Sequence, residues 1–104
     1  MNEKRNEIAV LFDLYSPLLS PRQRDVLDLY YNDDLSLSEI SEDLGITRQG
    51  VRNAVVTGEK LLFKLENTLG AAKREREIRA CAEKIIALSD SLEIRAEAQK
   101  LLNL

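Results

Sequence analysis

Arg48-Gln49-Gly50-Val51-Arg52-Asn53 brings two guanidiniums and two carboxamides into one short stretch. An arginine can pair with the O6 and N7 edge of guanine, and a glutamine or asparagine with the N6 and N7 edge of adenine. At helical spacing Arg48, Gln49, Arg52 and Asn53 lie toward the solvated side, while Val51 and Val55 point back to a core. A helix presenting these side chains near its N-terminus has what a base-reading helix needs. The chemistry is recognition, not bond-making, and these four residues form the candidate nucleic-acid-binding set.

The elements that must hold this set are legible just upstream. Ser36 followed by Glu39 forms a capping box, in which the serine accepts an early helical N–H and the glutamate reaches back to the cap. Leu37, Ile40 and Leu44 then give one apolar face. Gly45 falls where a helix ends in a left-handed residue, a conformation that costs any side chain a Cβ clash. Ile46 plugs the corner and Thr47 caps the next helix. Helix, tight turn, helix: Ser36 to Asn53 is a helix-turn-helix.

Around this motif the apolar spacing is helical throughout. Ile8, Leu11, Phe12 and Tyr15 mark a first amphipathic helix over 3–15, which Ser16-Pro17 ends because the residue before a proline avoids the helical region. Ser20-Pro21-Arg22-Gln23 opens a second helix with a serine cap, a proline at its first position and a capping-box glutamine. Its apolar face is Val26, Leu27, Leu29, Tyr30 and Tyr31, and Asn32-Asp33-Asp34 reads as a turn. The reading helix continues through Val55, Gly58, Leu62 and Leu65 to about Thr68, and Gly70 stops it. Gly50 and Gly58 each weaken a helix by about 1 kcal/mol relative to alanine, and such glycines mark close packing or the approach of a partner backbone. A further helix over 71–88 carries Ile78, Cys81, Ala82, Ile85 and Leu88. Ser89-Asp90-Ser91 breaks it with Asp90 and Glu93 as a cap-like pair, and a last helix carries Leu92, Ile94, Ala98, Leu101 and Leu102. No strand-like alternation appears. The expected fold is all-α, a helix-turn-helix bundle with extended C-terminal helices, divided into a helix-turn-helix domain over 1–69 and a C-terminal extension over 70–104 for packing or dimerisation.

Composition narrows the function. The 104 residues include no histidine and one cysteine, which removes zinc sites and histidine-based catalysis and allows no internal disulfide. With no glycine-rich phosphate loop and no convincing carboxylate pair, an enzyme, a metal and a cofactor are not expected. No apolar run approaches the roughly 18 residues of a membrane span and no signal-peptide core is present, so a cytoplasmic location is expected. The net charge of −3 argues against a general nucleic-acid binder. Residues 21–66 carry six positive and nine negative charges, so the motif segment is itself acidic.

From Leu19 to about Leu65 the chain resembles the region-4 domain of bacterial sigma factors. The shared pattern is Ser20-Pro21-Arg22-Gln23-Arg24-Asp25-Val26-Leu27, Leu37-Ser38-Glu39-Ile40-Ser41, Leu44-Gly45-Ile46-Thr47-Arg48 and Val51-Arg52. The N-terminal helix with Leu11-Phe12-Asp13-Leu14-Tyr15, Leu29-Tyr30-Tyr31 before Asp33-Asp34-Leu35-Ser36-Leu37, and the small size resemble the YlxM family of small bacterial helix-turn-helix proteins more closely. That resemblance covers roughly residues 8–69 and implies a regulatory role in the signal recognition particle pathway. Its implied partners are signal recognition particle RNA and the particle's protein. The sigma pattern makes Arg48, Gln49, Arg52 and Asn53 the groove-facing set. Gly50 stands where both families hold a larger residue, and Arg52-Asn53 is closer to the sigma pattern than to a Tyr-Asp-like pair.

Three functions therefore stand beside one another: a nucleic-acid-binding regulator resembling YlxM, a sequence-specific DNA-binding transcription regulator of sigma region-4 type, and a protein–protein adaptor that has lost nucleic-acid binding. Bland readings accompany the residues themselves. Tyr15, Tyr30 and Tyr31 sit among leucines and are expected in the core rather than stacked on bases. Lys60 and Lys64 are expected to pair with Glu59 and Glu66 along the helix, though they also lie near the reading face. The run from Lys73 to Arg79 alternates with glutamates as a solvated or salt-bridged face does, and Cys81 is expected as a buried inert thiol. The apolar excess of the C-terminal third predicts a homodimer through those helices.

Overall fold

The structure is a computed structural model that describes residues 2–104. Among these residues it contains six α-helices and no strand: α1 (Asn2–Tyr15), α2 (Pro21–Leu27), α3 (Leu37–Leu44), α4 (Arg48–Leu69), α5 (Ala71–Leu88) and α6 (Leu92–Leu102). It divides into two compact units, the first ending at Leu69 and the second running from Gly70 to Leu104.

The first unit is a core built on one face of α4. Val51, Ala54, Val55 and Leu62 turn inward and meet Ile8 and Leu11 of α1, Val26 and Leu27 of α2, and Ile40 of α3, all of them buried. Fully burying one such large side chain contributes about 1.5–3 kcal/mol. Tyr15 is 3% exposed, and its hydroxyl donates to Glu66 Oε1 at 2.7 Å, so the ring serves the core and its polar tip is satisfied. The start of α2 follows its sequence signal closely. Ser20 Oγ accepts from Gln23 N, Gln23 Oε1 accepts from Ser20 N, and Pro21 occupies the first turn.

The segment after α2 is where the chain departs from the turn expected at Asn32-Asp33-Asp34. The helix runs on as a π-helical turn over Asp28–Asn32, and the bend comes at Asp33 and Asp34. Asp34 takes φ 58, a left-handed conformation that short polar side chains tolerate. The widened turn lets Tyr30 and Tyr31, both half-buried, meet edge to face with ring centres 4.9 Å apart. Arg5 of α1 closes the arrangement. Its guanidinium lies 4.9 Å from the Tyr31 ring centre, donates to the Tyr30 carbonyl at 3.3 Å and reaches Asp34 Oδ1 at 3.0 Å. Tyr31 in turn donates its hydroxyl to Glu59 of α4. Burial, reinforced by the Glu59 carboxylate, pushes the Tyr31 hydroxyl well above its ordinary pKa.

Gly58 shows why α2 and α4 can cross so closely. A Cβ built there would lie 2.7 Å from Leu27 Cδ1 and 3.3 Å from its Cγ. Leu27 is fully buried, so a Cβ at Gly58 would have to displace a packed side chain. Of the two readings of this glycine, close packing is the one the structure displays.

The second unit is a helical hairpin with a thin interior. Its buried side chains are alanines, Ala72, Ala82 and Ala98, whereas Ile78, Ile85, Leu88, Leu92, Ile94 and Leu101 are exposed. Cys81, expected to be buried, is exposed. Its neighbour Ala82 takes the inward position, because two helices in close contact accept an alanine where a larger residue would separate them. The α6 cap also sits one residue later than expected. Ser91, not Asp90, accepts from Ile94 N, at 3.3 Å. On α5 the alternating charges form exposed i, i+4 pairs, Lys73–Glu77 and Arg79–Glu83, each at 4.0 Å. Pairs of this kind contribute a few tenths of a kcal/mol.

Replacing Gly58 with alanine should destabilise the protein even though alanine is the better helix former. Overpacking at a buried contact costs about 1–3 kcal/mol, against a propensity gain of about 1 kcal/mol. A lower urea midpoint at unchanged m-value is the expected result; a raised midpoint would show that Leu27 can move aside.

Candidate nucleic-acid interface

The geometry of the reading helix begins at the turn before it. At the entry to α3, Ser36 Oγ accepts from Glu39 N at 3.1 Å and Glu39 Oε1 accepts from Ser36 N at 3.0 Å. These bonds, the backbone one first, hold the Glu39 carboxyl below its ordinary pKa of 4.5. The helix ends at Gly45, whose φ of 66 is left-handed and whose N–H reaches Ser41 O. The Ser41 hydroxyl then donates to the Ile46 carbonyl at 2.5 Å while Ile46 N donates to Ser41 O at 3.1 Å. One serine clamps both polar groups of the turn. Sequence reasoning missed it, because Ser41 follows no cap or turn pattern.

Thr47 opens α4. Its hydroxyl accepts from Gly50 N at 2.9 Å, and its carbonyl accepts from Val51 N at 3.0 Å. A Cβ at Gly50 would lie 3.1 Å from Thr47 Oγ1, a tight fit, and in ordinary contact with Ile46 Cδ1 at 4.0 Å. The cap itself does not demand a glycine, since Gln23 and Glu39 hold the same position behind their serine caps.

With the cap in place, Arg48, Gln49, Arg52 and Asn53 occupy the first two turns of α4 and all are exposed. Val51, on the opposite side, is fully buried and fixes the rotation of the helix. Gln49 Nε2 donates to Asn53 Oδ1 at 3.2 Å, so the two carboxamides form one connected surface with donors and acceptors left over. One turn further on, Thr57 Oγ1 donates to the Asn53 carbonyl at 2.8 Å and accepts from Gln23 Nε2 at 3.2 Å. Gln23 therefore caps α2 and also ties its first turn to the flank of the reading helix. The capping role was visible in the sequence; the contact across 34 positions was not.

Charge is segregated rather than uniform. From Asp28 to Leu44 the chain has six acidic residues and neither lysine nor arginine, whereas α4 carries Arg48, Arg52, Lys60 and Lys64. Glu39, Glu42 and Asp43 surround a shallow depression of about 440 Å³ beside Leu35. Lys60 and Lys64 do not pair with the neighbouring Glu59 and Glu66, which at one or two positions away do not face them on the helix. Those glutamates take the hydroxyls of Tyr31 and Tyr15, and among the described residues neither lysine has an ion-pair partner. No group of three or more acidic, cysteine or histidine side chains able to hold a metal occurs among the described residues. No described helix is long and apolar enough to cross a membrane.

Gly45→Ala tests the turn directly. Nothing lies within 4 Å of the added Cβ, so the expected loss is conformational, about 1–2 kcal/mol for a left-handed residue. Gly45→Asn should recover part of it, since asparagine tolerates that region. Equal stability of all three proteins by thermal denaturation would show that the turn is not set by the left-handed residue.

Comparison with known proteins agrees with this geometry. A family model described as "UPF0122: Putative helix-turn-helix protein, YlxM / p13 like" matches residues 2–103. A UPF0122 protein of Clostridium kluyveri is 40% identical over 90 residues, which is 86% of this chain and 81% of that protein. A UPF0122 protein of Acetivibrio thermocellus is 47% identical over 68 residues, 65% of this chain and 58% of its own. A third, of Clostridium novyi, is 37% identical over 91 residues, covering 88% and 79%. The chain belongs to the UPF0122 family of YlxM / p13-like helix-turn-helix proteins.

Proposed function

We propose that this protein is a regulator that acts by docking on nucleic acid, not by turnover, with Arg48, Gln49, Arg52 and Asn53 as its base-facing set. The observation that carries the reading is the capped start of α4 with all four side chains exposed on it. Preorganisation matters because each side chain must meet a base edge without first being ordered. Following the resemblance to YlxM, signal recognition particle RNA is the first polymer to test, with the particle's protein as the accompanying partner and the cytoplasm as the setting. The runner-up, a sigma region-4-like DNA reader, uses the same four residues in a duplex major groove. The acidic depression at Glu39, Glu42 and Asp43 favours the third reading, a protein adaptor, since it repels phosphates on the flank of the motif.

The test is a titration against signal recognition particle RNA and against mixed double-stranded DNA at two salt concentrations. Saturable, salt-sensitive binding is expected, and Arg52→Ala should weaken it by about 1–3 kcal/mol if a paired base contact is lost. The polymer bound more tightly chooses between the first two readings. No binding to either at low salt leaves the adaptor.

A homodimer through α5 and α6 belongs to the same proposal. Gly70–Leu104 is shorter than the roughly 40 residues below which isolated domains usually need help from oligomerisation, metal or disulfides. Ile85, Ile94, Ala98 and Leu101 line an open groove of about 550 Å³ whose rim carries Glu93 and Glu97. Paired hairpins bury these side chains in a four-helix arrangement. Sedimentation equilibrium should give twice the 11.8 kDa chain mass, and Ile85→Asp should halve it; a monomer mass at every concentration removes the dimer.

A further inference from the structure

The outer face of α4 does not end where base reading ends. Gln49, Asn53, Val56, Lys60, Lys64 and Asn67 fall within an arc of about 80° and span roughly 27 Å of helix, at 3.6 residues per turn and 1.5 Å per residue. Over its second half this stripe forms one wall of a groove of about 620 Å³. Lys4 of α1 lines the same groove, so three lysines border it from two helices. Val56, 38% exposed, and the half-buried Phe63 supply apolar surface between them. Among the described residues none of the three lysines has an ion-pair partner, and the one carboxylate lining the groove, Glu59, accepts the Tyr31 hydroxyl.

We propose that this groove is a binding site for the phosphodiester backbone of the polymer whose bases face Arg48, Gln49, Arg52 and Asn53. The proposal rests on the nucleic-acid reading above and extends it from a short base-reading patch to a track along most of α4. Lysine suits such a site, since its ammonium is a compact point charge on a flexible stem that follows a backbone without reading bases. Val56 and Phe63 lie where the apolar side of a sugar can rest between successive phosphates. The track also answers the objection raised by the overall charge. A net charge of −3 is compatible with phosphate binding when the acids cluster between Asp28 and Leu44 and the bases line α4.

The experiment is the salt dependence of binding, measured for the wild-type chain, for Lys4→Gln/Lys60→Gln/Lys64→Gln, for Arg48→Ala/Arg52→Ala and for Lys84→Gln on α5. Signal recognition particle RNA and mixed DNA duplex serve as separate probes. Glutamine matches lysine in helix propensity, and unchanged thermal melting confirms that each variant is folded. Loss of three phosphate contacts should lower the slope of log K against log salt by about two to three. The Lys84 variant should leave that slope unaltered. A wild-type slope in the triple variant, with binding still lost in the arginine variant, overturns the groove and leaves the base-reading proposal standing. An equal fall for Lys84→Gln overturns it too, by showing a diffuse charge effect. No binding by the wild-type chain to either probe overturns both proposals together.

Discussion

The tightest constraint in the first unit is the crossing of α2 over α4, where Leu27 packs into the space a side chain at Gly58 would occupy. Helix α4 is 22 residues long and has two parts, an exposed candidate surface over its first turns and a core face over its middle. A helix of this length would lever its N-terminus widely if its middle were loosely held. The glycine lets the α2 backbone come close and the buried leucine prevents sliding, so the rotation of α4 is set in the core and carried to Arg48 and Asn53. Gln23 adds a polar tie on the same crossing, through Thr57 to the carbonyl of Asn53. The exposed face is positioned from behind.

Features governed by local rules were legible in the sequence. Both capping boxes, the left-handed Gly45, the Thr47 cap and the stop at Gly70 each depend on neighbours within four positions, and each forms as its residues predict. Apart from the local Ser41 clamp and the α6 cap at Ser91, what escaped prediction depends on contacts across the chain. The π-helical turn after α2 has no sequence signature, because it is held by Arg5, which lies 25 positions before the carbonyl of Tyr30. Its aromatic rings and its bond to Asp34 make Arg5 the organiser of that corner, although by type and position it reads as an ordinary N-terminal charge. Glu59 and Glu66 teach the same lesson in reverse. Their place beside Lys60 and Lys64 suggested pairing along the helix, but residues one or two positions apart do not face each other, and distant tyrosine hydroxyls claim the carboxylates.

The candidate site divides in the same way. The four side chains at the start of α4 are nominated by type and spacing alone, and the fold places all four on the exposed face of that helix. Lys4 could not be added to them, since only the fold brings α1 beside the second half of α4. Errors in the second unit have a different physical origin. Helical spacing alone made Cys81 and Ala82 equivalent members of one stripe. In a close two-helix contact size decides, so Ala82 is buried and Cys81 is exposed. Periodicity reports which face is apolar, but not how near the partner helix comes.

Charge placement connects the fold to its use. An acidic segment beside a basic helix would limit the orientations in which a polyanion could approach: under the proposed reading, phosphates are repelled from the flank bearing Glu39, Glu42 and Asp43 and attracted along the outer face of α4. A uniformly basic protein of this size would hold any nucleic acid wherever it touched, since the phosphate term is indifferent to sequence. Segregation would reduce that indiscriminate binding and, under the proposed nucleic-acid reading, would leave the arginine and carboxamide face a larger share of the discrimination.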